Sequence, residues 1–324
     1  MSEVTYRPYR GTADLPGMAG ANARLRAHAG QLEPIDLASI EHRYTHLVNS
    51  DPLEDCLVAE RDGAIVGYTR TEWHDLVDGD RTHDITCLVE PDAWGLGIAD
   101  ALFAWSEARH RVVARSLPRD RRSWYEAWAF DGDEEQARAL AGRGYRAVRW
   151  DAEMLRPDLQ DLPAIAVPDG YTLRTPEATE LPAVFEMFVA AFAEHWGEYQ
   201  AEDQRIEDWV DDPRFRLDLV VVAWQGDRPA ACVGNVLEPR PDGLVRGLLD
   251  SVATHPDHRR RGLARAAIAE SLRRLRDEGA IDAYLGVDTD NHNRALALYE
   301  TCGFRVATRS ASYRRPFEAG EDHR

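Results

Sequence analysis

The sequence predicts an α/β chain built from two similar domains, and three observations carry that expectation. The same order of strand-like and helix-like segments is run through twice, as expected when one unit is repeated. Between the two passes lies LRPDLQDLPAIAVPDG, residues 155–170, whose prolines and aspartates mark a linker. The chain has 324 residues, enough for two domains of roughly 150 residues each. The expected domains are therefore 1–156 and 165–324.

The elements follow in parallel. A strand-like VTYRPYR at 4–10 corresponds to GYTLRTP at 170–176, each followed by a helix-like stretch that carries Leu-Pro. Residues 51–73 and 212–237 each contain two apolar strands joined by a short turn, RDG in the first and QGDRP in the second. Residues 85–105 and 248–268 each read as a strand, a glycine-bearing turn and a helix. Residues 139–150 and 298–310 close each pass with the end of a helix, a Gly-aromatic pair and a last strand.

Composition narrows the function. The net charge is −18, which argues against a general nucleic-acid or anionic-membrane binder and suits a cationic small molecule or amine. Every one of the 39 basic residues is arginine, so chemistry that needs a lysine, as a Schiff base or a P-loop phosphate ligand, is excluded. The four cysteines, Cys56, Cys87, Cys232 and Cys302, form no CxxC and read as buried reduced thiols. The first residues, MSEVTYRPYRG, contain no signal-like apolar region, and no apolar run approaches the ~18 residues of a membrane helix. The expectation is a cytoplasmic protein, monomer or homodimer, acting on a small molecule.

The most informative stretch is PDHRRRGLARAAI, residues 256–268. His255-Pro256 ends the apolar strand LLDSVAT, and Leu263, Ala266, Ala267, Ile268 and Leu272 mark one face of the following helix. Arginines at a helix N-terminus oppose its dipole unless an anion sits there. Gly262 allows close backbone approach, Ala264 leaves the first helical turn uncrowded, and Arg259, Arg260 and Arg261 add charge. Together they form a pyrophosphate cradle. Downstream, YLGVDTDNHNRALALYETCGF at 284–304 reads as strand, polar turn, helix and the Gly-Phe that opens another strand.

On these residues the sequence resembles the GNAT superfamily of acyl-CoA N-acyltransferases. Its turn Q/R-x-x-G-x-G/A is matched by Arg259, Gly262 and Ala264, and its V-x-x-x-N…Y…G-F pattern by Val287, Asn291, Tyr299, Gly303 and Phe304. The likeness covers both halves and resembles tandem members of the mycothiol synthase type. It implies two GNAT domains, each a mixed, mostly antiparallel sheet flanked by helices, with acetyl-CoA as cosubstrate and no metal. The pantetheine arm is expected in a gap between two splayed central strands, against the backbone of Val252, Ala253 and Thr254. The pyrophosphate is expected on Arg259, Arg260, Arg261, Gly262, Leu263 and Ala264, with Arg265 beside them. Asn291 would position the arm; the commonest family spacing would instead select His292, and Asn293 also fits. Tyr299 is the expected acid that protonates the departing thiolate.

The first half is a weaker copy. Alignment of Pro91 with Pro256 sets Trp94 opposite Arg259, Gly97 opposite Gly262 and Ala99 opposite Ala264. The glycine geometry survives, the arginines are gone, and Leu140 stands where Tyr299 would be. Catalysis is therefore assigned to the second half.

Two carboxylates are candidates for the base that takes the proton of the attacking amine. Asp250 shares a strand with Val252 and Thr254, at a period of two that predicts a common face. Glu194 lies in FVAAFAEHWGEYQAEDQRIEDW at 188–209, where Glu194, His195, Trp196 and Glu198 would frame an amine. His195 has no partner at a metal-ligand spacing, so zinc is not expected. The resulting expectation is direct transfer of acetyl, in a ternary complex, to a primary amine of a small molecule that is itself cationic. Two other readings stay open: mycothiol synthase proper, acting on a cysteinyl pseudodisaccharide, and a non-catalytic acyl-CoA-binding regulatory module.

Overall fold

The computed structural model of the protein describes residues 3–32, 35–193, 206–240, 242–290 and 295–317. The chain forms two compact units, Met1–Trp150 with Thr308–Arg324, and Asp151–Ala307. The second unit is one contiguous stretch, whereas the first is completed by residues from the far end of the chain; the repeat alone reads as 1–156 and 165–324.

The first unit contains β1 (Thr5–Pro8), α1 (Leu15–His28), α2 (Leu37–Thr45), α3 (Pro52–Asp55), β2 (Cys56–Arg61), β3 (Ala64–Asp75), β4 (Arg81–Val89), α4 (Ile98–Val113), β5 (Ser123–Phe130), α5 (Glu134–Gly142) and the start of β6 (Arg146–Arg156). The second contains the rest of β6, then β7 (Thr172–Arg174), α6 (Leu181–Phe192), α7 (Ile206–Val210), β8 (Val221–Gln225), β9 (Arg228–Pro239), β10 (Val245–Thr254), α8 (Leu263–Asp277), β11 (Ala280–Asp288), α9 (Ala295–Thr301) and the first residues of β12 (Arg305–Pro316).

Both sheets have the same plan. In the first, β1 to β4 are antiparallel neighbours, β5 runs parallel to β4, and residues 310–316 of β12 pair antiparallel with β5. In the second, β7 to β10 are antiparallel, β11 runs parallel to β10, and residues 151–156 of β6 pair antiparallel with β11. The last strand of the first sheet is thus supplied from the far end of the chain and that of the second by the continuation of β6, so the second unit lies in sequence between the two segments of the first.

Local chemistry explains the turns. Between β2 and β3, Asp62 and Gly63 both have positive φ (52° and 76°), as a type I′ hairpin turn requires. Between β8 and β9 only Gly226 does, at 64°.

Each sheet is covered on both faces, so its strands read as nearly unbroken apolar runs. In the second unit Leu249, Ala267, Leu272, Leu285 and Tyr299 form the core under α8, and Val184, Met187, Val222, Trp224, Cys232 and Ala253 the core under α6. All four cysteines are buried free thiols. No described helix is long and apolar enough to cross a membrane.

Two features open the second sheet. The pairing of β10 with β11 ends at Leu248↔Tyr284, although β10 continues to Thr254 and β11 to Asp288. Beyond that point the two parallel strands have no pairing, and backbone groups of residues 249–254 face the gap. In addition, the register of β10 on β9 slips between Leu249 and Ser251, which makes Asp250 the extra residue of a β-bulge.

Candidate active site

The turn after β10 has the backbone geometry of an anion cradle. Gly262 is the N-cap of α8 at φ 84°, with no side-chain cap and no acidic residue in the first turn, so the first helical N–H groups face outward uncapped. A Cβ on Gly262 would meet only Pro168 Cγ, at 3.9 Å, so it is the left-handed backbone that selects glycine there. Arg260 is left-handed as well, at φ 63°. That conformation costs a non-glycine residue about 1 kcal/mol, and strain of this kind concentrates at ligand-binding turns.

The three arginines separate in role. Arg260 and Arg261 are exposed at the rim. Arg259 is half-buried and reaches inward, donating to the Ala191 carbonyl at the end of α6 (3.0 Å) and to the Thr254 carbonyl (3.4 Å). It fixes the turn against strand and helix. Leu263 is buried against Ala223, Ala230 and Ala231, Ala264 is half-buried, and Arg265 is exposed.

Tyr299 lies on α9 with 7% of its surface exposed, edge-on to Phe304. Burial raises its phenol above the ordinary tyrosine value, with the Cys302 thiol adding to the effect. Such a phenol keeps its proton at neutral pH, as a proton donor must. Just past the end of the helix carrying it is Gly303, whose φ is 87° and where a Cβ would overlap the Arg156 guanidinium. Arg156 seals that end by donating to the Cys302 carbonyl, and also to the carbonyls of Asp158 (3.1 Å) and Asp161 (2.8 Å).

A second cavity opens on the α6 side of the sheet. It holds about 300 Å³ of space open to solvent and is lined by Trp209, Asp212, Phe215, Val220, Gly234, Asn235, Val236 and Asp250. Trp209 covers Gly234, where a Cβ would meet Ser251 Oγ at 2.8 Å and the indole at 3.6 Å. The bulge changes the expected alternation here. Asp250 and Ser251 both face the cavity, whereas Val252 packs with the core on the α8 side. The common face for Asp250, Val252 and Thr254, read from a strict period of two, is therefore corrected by one inserted residue.

Glu194, His195, Trp196, Glu198 and Asn291 lie outside the described residues, as do His292 and Asn293. The structure brings together the turn, the open half of β10, Tyr299 and Asp250 in one unit. Beside the cavity stand residues that sequence reasoning missed: Phe215, Gly234, the half-buried Arg214 and the buried Glu238 and Tyr284. The only signal for Trp209 and Phe215 was the presence of large rings in an acidic stretch. No group of three potential metal ligands occurs among the described residues.

The equivalent turn of the first unit has the same backbone and different contents. Gly95 and Gly97 are left-handed (φ 77° and 75°), like Arg260 and Gly262. Yet the Gly95 N–H donates to the carboxylate of Glu135 (3.3 Å), a residue only 6% exposed and paired with Arg138 at 2.8 Å. An anion from the chain itself already sits on this turn, and Asp100 adds negative charge in the first turn of α4. Leu140 is fully buried core.

Comparison with known proteins agrees with this geometry. The profile of the Acetyltransferase (GNAT) family matches residues 24–124 and 181–304. The chain is 30% identical to mycothiol acetyltransferase of Geodermatophilus obscurus over 319 residues, covering 93% of this chain and 95% of that protein. It is 28% identical to the enzyme of the same name from Salinispora arenicola, covering 90% and 91%. Among solved structures it resembles a GCN5-related N-acetyltransferase from Sphaerobacter thermophilus (TM-score 0.76, 20% identity, 98% and 97% covered). It also resembles a tandem GNAT protein from the clavulanic acid biosynthesis pathway (TM-score 0.69, 17% identity, 98% and 100% covered). Two units of one fold, an anion turn at a splayed strand pair and a family match in both halves lead to one conclusion: the chain belongs to the GNAT family of acetyltransferases and is an N-acyltransferase enzyme.

Proposed function

We propose that the protein transfers acetyl from acetyl-CoA to a primary amine of a small cationic molecule, using the second unit alone. The observation that carries this reading is the cavity at the bulge, where Trp209 and Phe215 stand beside the carboxylates of Asp212 and Asp250. Aromatic faces and carboxylates in one pocket favour a cation.

In this reading the turn of Arg259, Arg260, Arg261, Gly262, Leu263 and Ala264, with Arg265 on the next turn of α8, receives the pyrophosphate. The backbone of Val252, Ala253 and Thr254 in the open half of β10 receives the pantetheine arm, with Asn291 on the other side. Asp250, or Glu194, accepts the proton of the attacking amine. The new C–N bond forms at the thioester carbonyl, the C–S bond breaks, and Tyr299 gives its proton to the departing sulfur.

Thiol release from acetyl-CoA, followed across putrescine, glucosamine, cysteamine and glutamate, tests this. Turnover with the cationic amines and none with glutamate is expected. Best turnover with glutamate would overturn the cationic acceptor, and no release with any amine would favour a non-catalytic acyl-CoA-binding protein. A second reading is the activity of the mycothiol acetyltransferases, favoured by the match over nearly the full length of both chains. A cysteinyl glycoside added to the panel separates it, by a preference over cysteamine of more than about tenfold.

A further inference from the structure

The wall of the cavity at the bulge is a short segment whose rings pack on the core beside α6 and whose polar tie to the sheet is Arg214. Trp209, Asp212 and Phe215 lie within a few residues of each other, on and just after α7, a helix of only 5 residues. Arg214 ties this segment to the sheet. Its Nε and Nη2 both donate to Asp212 (3.1 and 2.8 Å), and its Nη1 donates to Glu238 on β9 (3.1 Å). The Arg214 N–H also donates to Asp212 (2.7 Å), so this carboxylate is oriented by three donors from one residue.

Glu238, the next-to-last residue of β9, is 2% exposed. One of its oxygens takes Arg214 and the other takes the hydroxyl of the buried Tyr284 on β11 (2.7 Å). The next two arginines on this face, Arg240 and Arg246, are bonded to Asp282. A buried carboxylate of this kind adds little stability over apolar packing, and the best-attested use of such groups is to specify one arrangement. What this one specifies is the position of Arg214, and through it the edge of Asp212 that lines the cavity. Arg214 itself is held above its ordinary pKa, first by the hydrogen bonds to Asp212, with Glu238 and Asp250 adding through space.

We propose that Arg214, seated on the Glu238–Tyr284 pair, is a positioning residue for the acceptor, setting Asp212 and the aromatic wall at the distance that an ammonium group requires. This rests on the reading of the cavity as the acceptor site.

The charge of Arg214 makes the proposal separable from simple electrostatics. Replacing it by glutamine removes a positive charge beside a cation site, and electrostatics alone would then tighten binding of a cationic acceptor. Positioning predicts the reverse. With the panel amine that the wild type acetylates fastest, R214Q is expected to raise the acceptor KM about tenfold, with the acetyl-CoA Kd close to wild type and a lowered Tm, since Glu238 loses its charged partner. Y284F, which removes only the hydroxyl on Glu238, is expected to raise the acceptor KM about three- to fivefold with kcat little changed. An acceptor KM that falls or stays constant in R214Q overturns the proposal. If R214Q does not fold, an unchanged acceptor KM in Y284F overturns it equally. Failure of the wild type to acetylate any amine would instead remove the functional reading on which the proposal rests.

Discussion

Arg259 and Trp94 occupy the same place in the two units and make the same bond. The Arg259 guanidinium donates to the carbonyl of Thr254, and the Trp94 indole N–H donates to the carbonyl of Val89 (3.1 Å), the last residue of the preceding strand in each case. The turn that follows keeps its left-handed backbone in both units. What differs is the anion: the first unit supplies its own from Glu135. Glu135 lies nine residues before Gly144, the spacing at which Arg294 precedes Gly303, so an acid stands where the second half has a base.

One acetyl-CoA per chain is the expected stoichiometry by titration calorimetry. Gly262→Val should abolish that binding, because β-branching at a left-handed residue distorts the uncapped helix start. Gly97→Val should leave it intact, at the cost of about 1–2 kcal/mol of stability in the first unit. Loss of acetyl-CoA binding through Gly97 rather than Gly262 would reverse the ranking of the two turns.

Tyr299→Phe should lower kcat by about 10²–10⁴-fold while changing the acetyl-CoA Kd little, because a general acid acts in the transition state. Near-normal turnover in this variant would reduce Tyr299 to a packing residue and leave water as the proton donor.

Asp250→Asn should raise the acceptor KM and lower kcat while sparing acetyl-CoA binding, since Asp250 lines the cavity proposed for the acceptor. The acceptor KM should also rise with ionic strength, by less than a surface-charge mechanism gives, because groups inside a cleft are screened less than exposed ones. A KM indifferent to both the substitution and salt would remove Asp250 from the acceptor site.

Acid should destabilise the first unit through two histidines. His83 and His110 are each 1% exposed, with ring centroids 5.1 Å apart. Burial lowers His83 to about 4, with Arg81 adding, and lowers His110 to about 3, with His83 adding. The His110 Nε2 lies 3.0 Å from the Asp84 carbonyl, which can only accept, so the neutral ring carries its proton on that nitrogen. Both folded values lie below the unfolded value of about 6.5, so the unfolded chain binds more protons between them. The stability contribution is full above about pH 6.5 and falls as the pH drops towards 4. Asp84, whose carboxyl burial pushes up, titrates in the opposite sense, and a variant pair cancels it. The loss of Tm between pH 7 and pH 5 should be smaller in His110→Leu than in the wild type; an equal loss in both would exclude His110 as a cause. The second unit already uses apolar packing at the corresponding place, where Leu275 lies so close to Gly247 that a Cβ there would clash at 2.6 Å.

Much of this protein was legible in the sequence by itself. The repeat, the hairpins with their Asp-Gly and Gly-Asp turns, the helix starts at Gly97 and Gly262 and the placement of Tyr299 before Gly-Phe are local properties. Each depends on a few consecutive residues whose φ, charge or periodicity is set by their own side chains. The weakness of the first turn was legible for the same reason, in its missing arginines.

The tertiary structure decided what depends on partners distant in sequence. Strand exchange places residues 151–156 and 308–316 in units that a linear reading assigns the other way, because a strand's neighbour is chosen by pairing across the sheet and not by adjacency in the chain. The bulge that turns Asp250 into the cavity beside Trp209 is one unpaired residue against β9, invisible in a stretch that reads as one continuous strand. Arg156 explains Gly303 from almost 150 positions away, Glu135 fills a turn 40 positions earlier in the sequence, and Arg214 and Tyr284 meet on Glu238 only once three separate segments have packed. A side chain's own chemistry is written in the sequence, whereas its partners are fixed by the global packing that buries it.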